Sequence, residues 1–327
     1  MKKVLILVAI IFATTLTASA QFSGGSGTQA DPYQITSKAD MEELADVVNT
    51  SSYFYNGTQD KYYKLMNNIT DSVQLMIGIY GHRDFKGDFD GNGYKITLAL
   101  LHHTTAPDEL ALFCSNYGTI RNLVVDGYVN DNSSRCAGIC RANYANIFNC
   151  KNLANIIGEL AAGIAQYNDG TIDSCVNNGY ISASGYPGAG GICVFIVDGD
   201  SISNCTNTGT VVATGGGAGG IVSQIATLIS AAVVADCVNS GLIKGTNKVG
   251  GIVGISSGYC HITKCINTNV VEGTDFVGAI LGEISGNTTI TDCFYDIQMC
   301  KYKAVNNQDH PGVTGLPTHL LMEELAK

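Results

Sequence analysis

Three residues of this chain could do chemistry together. Asp236, Lys264 and Asp292 each stand immediately before a cysteine, 28 residues apart, and read acid, base, acid. Carboxylates around an amine could cleave a sugar chain, with Lys264 as the proton-abstracting base of a lyase and the acids positioning substrate or metal. The plainer reading is that Lys264 separates two carboxylates that would repel across stacked strands. The plainer reading is preferred, so the trio stays a candidate site, no catalytic residue is assigned and no cofactor is implied.

The other reactive residue types resolve less favourably. Asp198 and Asp200 flank Gly199, where solvated turn acids are expected. Asp88, Asp90, Asn92 and Gly93 mimic the opening of a calcium loop, but the twelfth position from Asp88 is Ala99, where such a loop needs a bidentate glutamate. A tight turn between strands is the expectation there. His102-His103 would point to opposite faces of a strand. Cys136 and Cys140 lack the second cysteine pair that a zinc site needs.

What must position the trio is a repeat. Val249-Gly250-Gly251-Ile252-Val253-Gly254 leads to Ile262-Thr263-Lys264-Cys265-Ile266-Asn267, and variants of this pair recur through the middle of the chain. The repeated cysteines are Cys150, Cys175, Cys205, Cys237, Cys265 and Cys293, at intervals of 25, 30, 32, 28 and 28. Within each unit the β-branched residues form two or three short runs broken by Gly, Asn or Ser, never a helical stripe. Such units stack as coils of a parallel β-helix, about 4.8 Å apart, so seven coils would make a rod of roughly 34 Å before its caps.

Stacking turns each repeated position into a column. Ile139, Ile164, Ile192, Ile221, Ile252 and Ile280 should line the interior. Asn152, Asn177, Asn207, Asn239 and Asn267 should form an amide ladder, each donating to one neighbour and accepting from the other. Gly179, Gly209 and Gly241, with Asn269 in the next copy, suggest a left-handed corner two residues further on. The six cysteines should be a column of buried thiols, because in-register Cβ atoms about 4.8 Å apart exceed the roughly 3.8 Å of a disulfide. Cys114 and Cys140 would share a second column if Ala111-Leu112-Phe113 opens a degenerate first coil.

The ends read differently. Lys2 and Lys3, the apolar run Val4 to Ala13 and Ala18-Ser19-Ala20 have the order of a secretory signal peptide (1–20), cut before Gln21. The run is too short for a membrane span, and no later stretch qualifies. Met41, Leu44, Ala45 and Val48 share one face of a helix that Ser37 would cap, a shield for the open end of the core. Residues 21–105 are thus expected to form a cap and lead-in strands, 106–296 the repeat array and 297–327 a C-terminal cap. Without Lys2 and Lys3, 16 basic residues face 28 acidic ones, a balance that argues against nucleic acid as a partner.

The Gly-Gly-Ile units, together with Phe85-Lys86-Gly87 and Phe89-Asp90-Gly91-Asn92-Gly93-Tyr94, resemble the GLUG-repeat proteins. Gly24 to Thr28 with Asp31-Pro32-Tyr33 looks like their N-terminal lead-in, and Cys293-Phe294-Tyr295-Asp296 with Gly315-Leu316-Pro317-Thr318 like their exit. These are exported bacterial surface proteins with a pectin-lyase-like right-handed β-helix. Ala137-Gly138, Ala162-Gly163 and Gly278-Ala279 depart from the full glycine pair. The fold class expected is therefore all-β, a right-handed single-stranded parallel β-helix with a short N-terminal capping helix.

Two functions compete. One is an exported, non-catalytic surface or adhesion module presenting loops to a glycan or protein partner. The other is a polysaccharide lyase or glycosidase, since the same fold carries such enzymes. The module is preferred. Its most suggestive surface lies between Ile221 and Cys237, 16 residues where the other copies have 11 or 13. The extra length falls in Ile225 to Val234, an apolar bulge of the kind that marks a partner contact.

Overall fold

The computed structural model describes residues 22–50, 57–79, 81, 83–101 and 109–326. The expected signal segment and His102-His103 lie outside these residues. Short β-branched runs separated by sharp corners stack in parallel into a β-solenoid of about nine turns, two more than the repeat units alone suggest. One face is a ten-stranded sheet running from Tyr33–Ile35 to Thr288–Thr291. A second has seven strands, from Phe113–Asn116 to Leu281–Ile284. The third is broken into two or three short pieces per coil, such as Thr206–Asn207, Val211–Ala213 and Gly217–Gly219.

In-register pairing makes the columns. On the first face Ile147, Ile172, Ile202, Val234, Ile262 and Ile290 stack in order, all buried. Ile139, Ile164, Ile192, Ile221, Ile252 and Ile280 are fully buried beside them. Each such side chain contributes about 1.5–3 kcal/mol, an upper bound against an extended reference chain.

The open end is closed by helix α1 (Lys38–Asn49), which buries Met41, Leu44, Ala45 and Val48. The Ser37 hydroxyl accepts the Asp40 N–H, and the Asp40 carboxylate accepts from the N–H groups of Ser37 and Thr36 at 3.0 and 2.8 Å. Burial alone would raise the Asp40 carboxyl, but these bonds and the Ser23 hydroxyl outweigh it and hold it below its ordinary value. At the other end Val313–Leu316 pairs with Cys293–Asp296, and α2 (Thr318–Leu325) packs against that pair. Among the described residues no helix is long and apolar enough to cross a membrane.

The asparagine column is continuous. Nδ2 of Asn152, Asn177, Asn207 and Asn239 donates to Oδ1 of the next member at 2.7, 2.7, 2.7 and 2.8 Å. Each Nδ2 also reaches a carbonyl two residues along its own chain, such as Gly209 O at 2.9 Å. The second glycine of each pair faces this ladder. A Cβ on Gly191, Gly220 or Gly251 would lie 2.7, 2.6 or 2.5 Å from the amide carbon of Asn207, Asn239 or Asn267, and 2.1 Å from a carbonyl of the next coil. Where the ladder stops, the glycine stops too. Ala279 belongs to the coil with Tyr295 at the ladder position, and Ala111 to the coil with Val125.

Two columns differ from expectation. The left-handed corner is not at Gly179, Gly209, Gly241 and Asn269. It is the residue before each cysteine: Asn122 (before Leu123 in the first copy), Asn149, Ser174, Asn204, Asp236, Lys264 and Asp292, with φ between 51° and 54°. The three glycines serve close approach instead, since a Cβ on each would lie 2.0 Å from a carbonyl of the preceding coil. Cys114 does not share a column with Cys140 either. Cys140 pairs with Phe113, one residue earlier, so the first coil is offset by one.

All twelve cysteines are free and buried. The N–H of Cys150 donates to Sγ of Cys175, and that of Cys175 to Sγ of Cys205, both at 3.4 Å. Burial pushes the thiols of Cys175, Cys205, Cys237 and Cys265 far up, and those of Cys114, Cys136 and Cys260 to about 12. Thiolate chemistry is closed to them at neutral pH.

Two outcomes follow from these columns. Replacing Asn207 by Leu leaves the Asn177 amine and the Asn239 oxygen without their ladder partner, and should cost about 1–3 kcal/mol in chemical denaturation; an unchanged midpoint would refute the ladder. Alkylation after denaturation without reductant should find Cys150, Cys175, Cys205, Cys237, Cys265 and Cys293 free. Recovery of these six mainly as disulfides in the mass spectrum would refute the thiol column.

Candidate functional site

Asp236, Lys264 and Asp292 occupy the left-handed corners of three successive coils, and all three are exposed. Val238, Ile266 and Phe294, paired in register two residues further on, lie beneath them. Helix α2 brings Glu324 and Leu325 alongside, closing a groove of about 510 Å³. The helix is anchored by the Thr318 hydroxyl, which donates to Asp296 Oδ2 at 2.7 Å, by the Thr318 N–H on Gln298 Oε1 at 3.0 Å, and by buried Leu321. Among the described residues no ion pair joins Lys264 to Asp236 or Asp292, whereas Lys244 and Glu272 on the same coils meet at 3.4 Å. The groove thus has an apolar floor and an open charged rim. The same corner on earlier coils carries polar links: Asn149 Nδ2 donates to Asn122 Oδ1 at 2.7 Å, and Asn122 Nδ2 to Asp90 Oδ1 at 2.9 Å.

Asp198 and Asp200 do not behave as a pair of solvated acids. Asp198 is half-buried, and its Oδ1 accepts the N–H groups of Leu228, Ile229 and Ser230 in the bulge of the next coil, the latter two at 2.8 and 3.4 Å. Asp200 is only 8% exposed, and its Oδ2 has no hydrogen-bond partner. Burial, then the charge of Asp169, raises the Asp200 carboxyl to about 7, and the neighbouring Val197 backbone opposes this only in part. The fold brings Asp169 in from the preceding coil, which the local sequence could not show.

The bulge is narrower than its sequence suggests. Ile225, Thr227, Ala232 and Val234 are buried, while Leu228 and Ile229 are 83% and 85% exposed. Two aliphatic side chains are presented on a turn whose backbone is held from below.

Three further arrangements were not anticipated. Asn116, Asn143 and Asn168 form a second amide ladder, with links of 2.8 and 2.8 Å; their spacing of 27 and 25 residues was the available signal. Beside it Tyr117 and Tyr144 stack at 4.5 Å, with Tyr167 tilted 5.9 Å from Tyr144. Arg141 and Glu109 form a buried ion pair at 2.6 Å. The expected tight turn is present at Asn92-Gly93, where the Tyr94 N–H donates to the Gly91 carbonyl at 2.8 Å, but Asp88 and Asp90 lie on the strand that leads into it, and Arg121 of the next coil reaches them at 3.0 and 3.3 Å.

These parallel coils place the chain among the β-solenoids. No family model and no curated protein matches it. Among solved structures it is similar to a Bacteroides ovatus protein described as a "putative immunoglobulin A1 protease", with a TM-score of 0.65 and 22% identity over 82% of this chain and 87% of that one. Likeness at that identity shows the fold alone.

The corner geometry predicts how Lys264 responds to substitution. Lys264→Ala keeps the left-handed backbone and removes only an exposed charge, so it should cost about 0–1 kcal/mol. Lys264→Asn, suited to that backbone, should instead be neutral or gain up to about 1 kcal/mol. Thermal melts showing a loss of several kcal/mol for either variant would mean that the groove depends on the amine.

Proposed function

We propose that the chain is an exported, non-catalytic surface module of the GLUG-repeat type, in which a stiff solenoid presents a turn to a partner. The reading is carried by Leu228 and Ile229, almost fully exposed while Asp198 caps the N–H groups beneath them. Exposed aliphatic residues on an ordered turn suit an apolar pocket on another molecule. Of the two partner classes, this favours a protein over a glycan, because neither side chain can bond a hydroxyl. The Asp198 carboxylate beneath the tip, with Asp169 one coil further back, favours a basic rim around that pocket.

The polysaccharide-active alternative rests on the groove that Asp236, Lys264 and Asp292 share with α2. Cysteine-based catalysis finds no support, since all twelve thiols are buried.

The test is a panel of immobilised surface proteins and glycans probed with the intact chain and with the double variant Leu228→Ser/Ile229→Ser, beside a polysaccharide-depolymerisation assay. The expected result is protein binding that weakens by about tenfold or more in the double variant, with no depolymerisation. Binding unaffected by the double variant would remove the tip from the interface. Depolymerisation abolished by Lys264→Ala, with the fold intact, would establish the enzyme instead.

A further inference from the structure

The exposed tip is hydrogen-bonded to a turn on the preceding coil; the significance of that link for binding rests on the partner reading above. Val197 to Asp200 form that turn, with Gly199 at φ 79° and the Ser230 Cβ 3.5 Å from where a Gly199 Cβ would stand. Turn and tip therefore touch, and the Asp198 carboxylate ties them through the N–H groups of Leu228, Ile229 and Ser230. Two residues from the clamp lies Asp200, nine-tenths buried and with one carboxyl oxygen unpartnered.

The charged groups acting on Asp200 are both carboxylates: Asp169 from the coil before and Asp198 from its own turn. Tyr167 and the Cys193 thiol also face it, and each is raised in part by its charge. An ionised Asp200 would be a third negative charge in this cluster, with a bare oxygen and little water.

We propose that Val197 to Asp200 form a proton-gated clamp: with Asp200 protonated the turn holds Asp198 under the tip, and loss of that proton loosens the turn and frees Leu228 to Ser230. The sign follows from linkage. The closed turn holds the Asp200 proton up to about 7, well above the ordinary aspartate value. The closed state is therefore favoured at low pH and loses that advantage as pH rises toward about 7. Opening moves the carboxylate toward water and away from Asp169.

The experiment is amide hydrogen exchange on the intact chain without a partner, between about pH 5.5 and about pH 8.5, corrected for intrinsic base catalysis. Protection of Leu228, Ile229 and Ser230 should fall by about tenfold or more across this range, while the core amides of Ile221 and Ile252 hold theirs. Asp200→Asn should retain the low-pH protection throughout. Asp169→Asn should move the transition to lower pH, and it serves as the test if Asp200→Asn does not fold. A flat profile in the unaltered chain, an unchanged transition in folded Asp200→Asn, or an unmoved midpoint in Asp169→Asn would overturn the clamp. Exchange reads the tip alone, so these failures leave the partner reading intact. Failure of the binding test, in turn, leaves the clamp intact.

Discussion

The interior depends on one requirement: an amide buried in a solenoid must find every hydrogen-bond partner on its own coil or the adjacent ones. Asn177 meets it by accepting from Asn152 and the Gly179 N–H while donating to Asn207 and the Gly179 carbonyl. That arrangement fixes the register of neighbouring coils, since a slip of one residue would strand both ends of each link. It also dictates the wall opposite, where a Cβ would collide with the amide. The glycine repeat and the asparagine repeat are therefore one constraint seen from two sides. Ala111 and Ala279 fit this account, because each lies in a coil whose ladder position is not an asparagine. The unequal lengths of the coils are then unsurprising, since extra residues can be accommodated in loops between the fixed columns.

The features legible in the sequence were those with a short-range cause. The isoleucine, cysteine and asparagine columns recur once per coil, at intervals of 25 to 32 residues, and the buried face of α1 has helical periodicity within a few residues of its cap. The errors arose where two causes favour the same residue type. Gly179, Gly209 and Gly241 suggested a positive φ, whereas the packing demands only a missing Cβ. The positive φ fell instead to a column rich in Asn and Asp, residues that tolerate it through local hydrogen bonds.

Other features depended on contacts between distant residues. The burial of Asp200 comes from the stacking of separate coils, and the charge that raises it most, Asp169, is 31 residues earlier. The one-residue offset that separates Cys114 from Cys140 is equally invisible to a motif, because Ala111-Leu112-Phe113 resembles the later units in composition. Helix α2 had a local signal in Pro317 followed by Leu320, Leu321 and Leu325, but its position beside the candidate groove did not.

Lys264 is the least expected residue of its column, because a left-handed backbone costs a residue without a local hydrogen bond about 1–2 kcal/mol. Keeping Asp236 and Asp292 apart is a weak reason for it. Those residues are two coils apart, about 10 Å, where their repulsion in water is only about 0.4 kcal/mol before salt screening. Helix α2 supplies a better one. It has no basic residue in its last turn, and its C-terminal end, with Glu324 and Leu325, lines the groove that Lys264 also lines. A cation there answers the negative end of the helix dipole, an interaction worth about 0.3–1 kcal/mol at an exposed site. Asparagine and aspartate thus suit the corner, and the lysine stands where a helix ends beside it.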